Sequence, residues 1–351
     1  MNIALIHYRL VYRGGLETRF LNYIEYFTRA GHEVTVIYSK KSGQIKLPGS
    51  VKEIQIHLGM VPKILRKWYF NRKLKAAMGA HRFDFSLSLE RTSHQDAVLA
   101  PNTHLGYLRA LGKTFLTPAD YIQIHLDKEC FMKCRIIYAC SAMVKDELVT
   151  LYKVPAEKIT VLYPPLNTKD YYPPAAGQRS FFKKKCGMDE NKTTFLFAST
   201  SHRRKGLPLL LKIFEALQNE PFELCIVGKP KVKTGLKNVK YLGYFTNLRE
   251  FYSGSDFTIH PAVYEPFGQI ISESLQCGTP VLVSSKVGAK EIIDKKSGVV
   301  AYSPDPRVWI KIIRDSPSLG LNAEMHNLRE KNIYLEAHVK KILETAFLSP
   351  R

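Results

Sequence analysis

The feature that most constrains this chain is a repeated alternation of short apolar strands with helical patterns. Residues 3–7 are predicted to form a strand, 16–30 a helix with one apolar stripe, and 34–38 a second strand. One strand–helix–strand unit implies a parallel sheet that helices cover on both faces. Further strands of the first half are predicted at 53–58, 85–89, 135–140 and 159–162.

Two Pro-Pro pairs, at 164–165 and 173–174, interrupt this alternation. Paired prolines fit neither the interior of a helix nor a central strand, so they predict a hinge. The alternation then resumes, with strands predicted at 194–198, 223–227, 239–242, 257–260 and 280–284, and helices at 207–218, 248–253, 268–276 and 322–347.

The fold class predicted for the 351 residues is therefore α/β, with two Rossmann-like, doubly wound parallel-sheet domains. We expect an N-terminal domain over 1–165, a second domain over 166–330, and a C-terminal helix in 331–351 that packs back toward the first. We also expect a cleft between the domains, because open α/β sheets bind ligands at the carboxyl ends of their strands.

The charge balance predicts an anionic partner: 52 Lys and Arg against 31 Asp and Glu give a net charge of +21. No stretch approaches the roughly 18 apolar residues of a membrane span, and the N-terminus does not resemble a secretory signal. The six cysteines contain no Cys-x-x-Cys pair, which is typical of reduced thiols. We therefore expect a cytoplasmic protein, with peripheral attachment to the inner face of a membrane as the further option.

Three loops, each between a predicted strand and a helix, carry the candidate chemistry. Arg13-Gly14-Gly15 follows the first strand, and paired glycines let backbone amides approach an anion, although a plain turn explains them equally well. The second loop contains the cations Arg203, Arg204 and Lys205 before Gly206. A solvated charge run is the alternative there, but the position after a strand favours anion binding.

The third loop, 260–273, contains Glu265, a Pro-Phe-Gly turn and Glu273. Proline fits the first turn of a helix, and the amides of residues 267–270 would lack helical acceptors and be available to a phosphate. Glu273 would lie about one and a half turns into that helix, where it could accept hydrogen bonds from a ribose.

These motifs resemble the GT-B, family 4 retaining glycosyltransferases. The resemblance rests on Glu265-x7-Glu273 with its Pro-Phe-Gly insert, on 277–281, on the first loop through Glu17, and on 141–145 with 152–159. It extends from Met1 to about Gly298. The adjacent Arg203, Arg204 and Lys205 are similar to the branch that contains lipopolysaccharide core glucosyltransferases.

The resemblance implies that 1–165 is the acceptor domain and 166–330 the nucleotide-sugar donor domain, and it implies a role for each candidate residue. Lys205, helped by Arg204, would bind the donor diphosphate, with Arg203 left open as the alternative arginine. Glu265 would hold sugar hydroxyls and Glu273 the ribose. His104, in the 100–108 loop, would lie near the reaction. The remaining donor-binding residues are Gly14 and Gly15, facing sugar and phosphates, and Phe267, Gly268, Gln269 and Ile270, whose amides would cover the distal phosphate.

The implied reaction moves a sugar from a nucleotide diphosphate sugar, expected to be a UDP-sugar, to a hydroxyl of a glycolipid or lipopolysaccharide core, with retention. The chain has no Asp-x-Asp pair, so we expect no metal and no cofactor, with cations and a helix terminus stabilising the departing diphosphate. Retention could use a covalent carboxylate intermediate. The family instead implies front-face attack, in which the leaving phosphate accepts the acceptor's proton.

A basic segment between residues 62 and 82 predicts the membrane partner. It combines apolar side chains with cations and contains no acid, as does a helix lying in an anionic interface, although a solvated surface helix has the same pattern. The proposed contact residues are Lys63, Arg66, Lys67, Trp68, Arg72 and Lys73.

Three alternatives to this reaction stay open. The same fold could serve another acceptor, or it could bind or hydrolyse a nucleotide sugar without transfer. A basic nucleic-acid-binding protein is the other class, but zinc-finger, RNP and basic-zipper motifs are missing from the sequence, so no nucleic acid is expected as a partner.

Overall fold

The computed structural model describes residues 1–11, 15–323, 328, 331 and 333–348. The chain divides into two compact units. The first unit comprises Met1–Leu162 together with the residues from Val339 onward, and the second comprises Tyr163–His338. The second unit therefore begins at the first proline pair, in a stretch that forms no helix or regular strand before Arg179.

The first unit is built on a seven-stranded parallel sheet of order β5-β3-β1-β6-β7-β8-β9. Its elements are β1 (Asn2–Ile6), β2 (Arg9–Leu10), α1 (Gly15–Arg29), β3 (Glu33–Tyr38), β4 (Lys40–Lys41), β5 (Lys52–Gln55), α2 (Arg66–Gly79), β6 (Phe85–Ser88), β7 (Ala97–Ala100), α3 (His104–Ala110), α4 (Pro118–Lys133), β8 (Ile136–Ala139), α5 (Ala142–Tyr152) and β9 (Ile159–Val161).

Strand alternation explains how helices cover this sheet. Ala4 and Ile6 of β1 point to the same face and pack with Phe70 and Leu74 of α2. The strand order reverses at β1, which has β3 on one side and β6 on the other. The loops that follow β1 and β6 therefore leave the same edge of the sheet, where doubly wound folds bind their ligands.

The second unit contains a six-stranded parallel sheet of order β12-β11-β10-β13-β14-β15. Its elements are α6 (Arg179–Lys185), β10 (Thr193–Ser199), α7 (Leu207–Ala216), β11 (Phe222–Gly228), β12 (Val239–Gly243), α8 (Arg249–Gly254), β13 (Phe257–His260), α9 (Gln269–Gln276), β14 (Val281–Ser284), β15 (Gly298–Ala301) and α10 (Pro306–Asp315). A last helix, α11 (Leu335–Leu348), begins in the second unit and continues into the first.

Alternation also builds the core of the second unit. Phe195 and Phe197 of β10 belong to a cluster that includes Trp309 of α10, while Leu196 and Ala198 face a second cluster on the opposite side. Each face of β10 is therefore covered. The order reverses here between β10 and β13, so the loops after these two strands emerge side by side.

The predicted fold class, two doubly wound parallel-sheet units, is confirmed. Part of the helix predicted at 322–347 lies outside the described residues, at 324–327, 329–330 and 332; residues 322, 323, 333 and 334 are not helical, Tyr334 forms a bridge with Leu166, and α11 covers the rest of the prediction from Leu335. Strands β7 and β15 and helix α10 were not predicted. All six cysteines are free thiols. None of the described helices has the length and apolarity to cross a membrane.

Candidate active site

The two loops at the switch point of the second sheet pack directly against each other. Gly206 has φ +92°, and a Cβ at this position would lie 2.1 Å from Pro261 O. Only glycine permits this close approach in that conformation. The Val263 amide donates to Arg204 O at 3.0 Å and joins the loops further. Side chains from the two loops are thereby held together.

The Glu265 carboxylate is the centre of the resulting cluster. Its Oε2 lies 3.3 Å from Arg204 Nη1, 3.5 Å from Lys205 Nζ and 3.5 Å from His260 Nε2. Arg204 Nη1 also donates to Tyr264 O at 2.6 Å. Two cations therefore share one carboxylate, which leaves one positive charge for an anion while His260 is neutral.

Electrostatics keeps this cluster in a defined charge state. Burial tends to raise the pKa of Glu265, but contact with His260 and the charges of Lys205 and Arg204 outweigh it and lower the pKa to about 2. Burial lowers the pKa of His260, which has no exposed surface. At neutral pH the site holds an ionised Glu265 beside a neutral His260.

The start of α9 adds backbone donors next to this cluster. Gly268 has φ +97°, and a Cβ there would lie 3.1 Å from Glu265 Cγ, so the turn requires glycine for two reasons. The first helical hydrogen bond runs from the Ile271 amide to Gly268 O, which leaves Gln269 and Ile270 amides without a helical acceptor. Phe267 is buried and stacks on Tyr163, with ring centroids 5.6 Å apart.

Glu273 follows on the same helix and is only partly exposed. The Tyr252 hydroxyl donates to its Oε2 at 3.0 Å, and the Tyr171 side chain also hydrogen-bonds it. Burial raises the pKa of Glu273 to about 7, against the opposing effects of these bonds and of the nearby Lys205 charge. Lys205 thus acts electrostatically on both glutamates of the motif.

In the first unit, His104 is the first residue of α3. Its Nε2 lies 2.9 Å from Asp120 Oδ1, and Asp120 also accepts from Lys113 Nζ at 2.6 Å. Hydrogen bonds from Lys113 and then Thr117 hold the pKa of Asp120 well below its usual range. His104 therefore faces a carboxylate that is ionised at neutral pH, and this contact orients its ring.

A buried ion pair fixes the backbone around His104. Asp127 Oδ2 accepts from the His104 amide at 2.9 Å and from the Tyr152 hydroxyl at 2.8 Å, while its Oδ1 accepts from Arg91 Nε at 3.0 Å. Arg91 also donates to Asn102 O at 2.5 Å. Both ends of the 102–104 turn are thus tied to one salt bridge.

The structure brings together most of the donor-binding residues predicted from sequence. Arg204 lies in the Glu265 cluster, whereas the Arg203 side chain is exposed. Gly15 is the exposed first residue of α1, while Gly14 and Arg13 lie outside the described residues. The residues that assemble in the second unit are Arg204, Lys205, Glu265, Phe267, Gly268, Gln269, Ile270 and Glu273.

Several residues of the site were not predicted. His260 was given no role from the sequence, although its place at the end of β13 is a usable signal. Tyr171 and Tyr252 carry no motif, because they reach Glu273 only after folding. Asp127 could have been suspected from spacing alone, since Asp120 and Asp127 lie two turns apart on one face of α4.

Comparison with known proteins gives the family. Residues 13–170 match the model described as Glycosyltransferase Family 4, and 178–332 match Glycosyl transferases group 1. A Burkholderia thailandensis protein named "Probable transglycosylase" is 31% identical over 315 residues, which is 90% of this chain and 86% of that protein. This chain belongs to the glycosyltransferases.

Solved structures agree on the fold of this glycosyltransferase. WaaG, a glycosyltransferase involved in lipopolysaccharide biosynthesis, superposes with a TM-score of 0.77 at 21% identity, covering 97% of this chain and 98% of WaaG. HepE of Anabaena, solved with UDP and glucose, gives 0.71 at 15% identity, covering 99% of each chain. The GT-B fold expected from the sequence is confirmed.

Proposed function

We propose that this glycosyltransferase moves a sugar from a UDP-sugar to a hydroxyl of a glycolipid or lipopolysaccharide core acceptor, with retention and without a metal. The names of structural neighbours support both the donor and the acceptor of this proposal. HepE is solved with UDP and glucose, WaaG is a glycosyltransferase involved in lipopolysaccharide biosynthesis, and WaaB is a lipopolysaccharide outer core galactosyltransferase. Their identities are low, so the donor and acceptor rest on this chain's own residues.

The observation that carries the proposal is the cluster of Arg204, Lys205 and Glu265 beside the first amides of α9. A diphosphate leaving group gains negative charge as its bond to the sugar breaks. Cations and amides already in place around that group stabilise the transition state more than the bound donor. Removal of one such donor lowers kcat by roughly 100-fold to 1,000-fold.

Retention would follow from attack on the same face that the diphosphate leaves. The bond between the anomeric carbon and the phosphate oxygen breaks, the acceptor oxygen forms the new bond, and the departing phosphate oxygen takes the acceptor's proton. NMR of the product should show the donor's anomeric configuration. A glycosyl adduct on a carboxylate in the intact-protein mass spectrum would contradict this route.

Donor binding is tested by thermal shift with a panel of nucleotide diphosphate sugars, followed by turnover assays. Within the panel, a UDP-sugar should raise the melting temperature most. A ligand at 100 times its Kd adds about 2.7 kcal/mol to the free energy of unfolding, so its shift is measurable. Lys205→Ala should abolish the shift, while Lys212→Ala, an exposed lysine of α7, should not. No UDP-sugar shift at millimolar concentrations would refute the donor proposal, and loss of turnover in EDTA would refute metal independence.

The catalytic role of His104 stays a prediction from the resemblance. We expect His104→Ala to lower transfer at least 100-fold while the UDP-induced thermal shift is unchanged, because His104 belongs to the first unit. Gly15→Val tests the first loop in the same way, with a rise in donor KM expected. Unchanged turnover in either variant would remove that residue from the site.

The exposed side chains before and along α2 support a membrane-bound acceptor and a location on the cytoplasmic face of the inner membrane. Ile64, Leu65 and Trp68 are 47%, 41% and 39% exposed, and the neighbouring Lys63, Lys67, Arg72 and Lys73 are exposed as well. Apolar side chains flanked by cations suit an anionic lipid interface. Arg66, also on this segment, is only partly exposed and donates to Val61 O.

Vesicle sedimentation tests this membrane contact. The protein should bind phosphatidylglycerol vesicles and not phosphatidylcholine vesicles. Lys67→Glu with Lys73→Glu should reduce binding at least tenfold, since each basic residue near an anionic surface contributes about 1 kcal/mol. Lys212→Glu with Lys311→Glu has the same change in net charge and should bind as the wild type does. Equal losses in both double variants would refute a contact through α2.

A further inference from the structure

The first unit contains a cavity of about 420 Å³ at the carboxyl end of β1. Its walls come from the loop after β1, from Glu90 after β6, from the turn before α2 and from the start of α4. Because the strand order of this sheet reverses between β1 and β6, the cavity lies at the switch point of the first unit. Its volume falls within the roughly 300–1,000 Å³ of small-molecule sites.

His7 forms the buried polar wall of this cavity. The side chain is 3% exposed, and its ring packs against Phe20 with centroids 5.2 Å apart. Among the described residues its Nε2 has no hydrogen-bond partner, and Nδ1 approaches only Glu90 Oε1, at 3.5 Å and without hydrogen-bond geometry. Buried imidazole nitrogens are normally satisfied, so this one lacks a partner that a ligand hydroxyl would supply.

Glu90 connects His7 to the basic rim. Its Oε1 faces His7, and its Oε2 lies 3.4 Å from Lys67 Nζ. A second carboxylate, Glu17, lines the cavity from the first turn of α1. Carboxylates accept hydrogen bonds from hydroxyls, so this side of the cavity suits the edge of a sugar ring.

The rim offers cations that have no protein counter-charge. Arg9 and Lys63 line the cavity, and in the described part of the chain neither has a carboxylate within 4 Å. Lys67 is already paired with Glu90. Two unpaired cations beside a hydroxyl-binding wall match a ligand that carries an anionic group on a polyhydroxylated body.

We propose that this cavity binds a phosphorylated sugar, whose hydroxyls contact Glu90 and His7 and whose phosphate contacts Lys63 and Arg9. Within the proposed function, on which this assignment rests, the cavity is the acceptor pocket, and the acceptor class is a sugar phosphate unit. The apolar and basic surface around Ile64 borders the same cavity, so a lipid-linked acceptor could present its sugar there.

Calorimetric titration of the full chain tests the inference, with glucose 6-phosphate, glucose and inorganic phosphate as probes. The Lys205→Ala variant is used as background, so that the candidate donor site does not take up the phosphate. Glucose 6-phosphate should bind at least tenfold more tightly than either other probe. Equal affinity for inorganic phosphate, or no binding of glucose 6-phosphate at millimolar concentration, would overturn the proposal.

Added substitutions then locate the binding. Lys63→Ala and Glu90→Gln should each weaken glucose 6-phosphate binding at least tenfold. Lys75→Ala, an exposed lysine of α2 that does not line the cavity, should leave it unchanged. Because Lys63 is exposed, its substitution should not disturb folding, which an unchanged melting temperature would show. Equal weakening by Lys75→Ala would mean nonspecific attraction and refute the assignment.

A parallel titration of the wild-type chain with UDP separates this inference from the donor proposal. UDP binding without glucose 6-phosphate binding overturns the cavity assignment alone. Absence of UDP binding overturns the donor proposal and, with it, the acceptor role of the cavity.

Discussion

Glu273→Gln should gain stability relative to the wild type as pH rises from 5 to 8, even if it weakens nucleotide binding. Burial raises the pKa of Glu273 from its ordinary 4.5 to about 7. A carboxylate with a raised native pKa contributes stability that is fully present below pH 4.5 and is lost as pH rises to about 7. Each unit of pKa corresponds to about 1.36 kcal/mol, so the loss of stability is at most about 3 kcal/mol. Glu273 is partly exposed, and hydration of its ionised carboxylate makes the loss smaller than this limit.

Glutamine removes this loss, because its side chain stays neutral and its amide oxygen still accepts from Tyr252. The packing cost of the substitution is the same at every pH. The difference in unfolding free energy between variant and wild type should therefore shift by about 2 to 3 kcal/mol in the variant's favour between pH 5 and pH 8.

Urea unfolding followed by Trp309 fluorescence measures this shift within the second unit. Trp309 is buried in its core, and the other tryptophan, Trp68, lies in the first unit and can be replaced by phenylalanine in both proteins. Denaturation curves at pH 5 and pH 8 give the four free energies. If the variant and wild-type stabilities change in parallel within about 0.5 kcal/mol, Glu273 does not carry a raised pKa.

Two further substitutions test the supports of each candidate site. Gly206→Ala should lower UDP affinity at least tenfold in titration calorimetry, because the added Cβ would meet Pro261 O. The same clash should destabilise the second unit by about 1–3 kcal/mol. Wild-type affinity in this variant would show that the two loops need no close approach. Asp127→Asn should lower the unfolding free energy of the first unit by about 3–5 kcal/mol, measured by urea denaturation, since it leaves Arg91 charged and unpaired in the interior. A loss below about 1 kcal/mol would contradict a buried ion pair.

The sequence was sufficient for the features that depend on periodicity and on local motifs. Strands such as β10 and β13 are compact apolar runs, and their loops carry unusual side chains, so both the sheet and the candidate donor residues could be predicted. The Ala97–Ala100 strand was missed because it is short and half alanine, and burial between its neighbours is what makes it a strand.

What the sequence could not provide is conformation within the loops. Arg203 and Arg204 are neighbours, and only the path of the turn before Gly206 decides which one reaches Glu265. The raised pKa of Glu273 depends on partners as distant in sequence as Tyr171. Such contacts have no periodic or spacing signal, because they form only when elements distant in the sequence pack together.

The central claim, that Lys205 and its neighbours bind the diphosphate of a nucleotide sugar, is tested most directly by comparing UDP with UMP. In titration calorimetry the wild type should bind UDP about 100-fold more tightly than UMP, because the second phosphate is the group that meets the cations and the start of α9. Lys205→Ala should remove most of that ratio and leave UMP affinity unchanged. A variant that keeps the wild-type ratio, or a wild type that does not distinguish UDP from UMP, would contradict the claim.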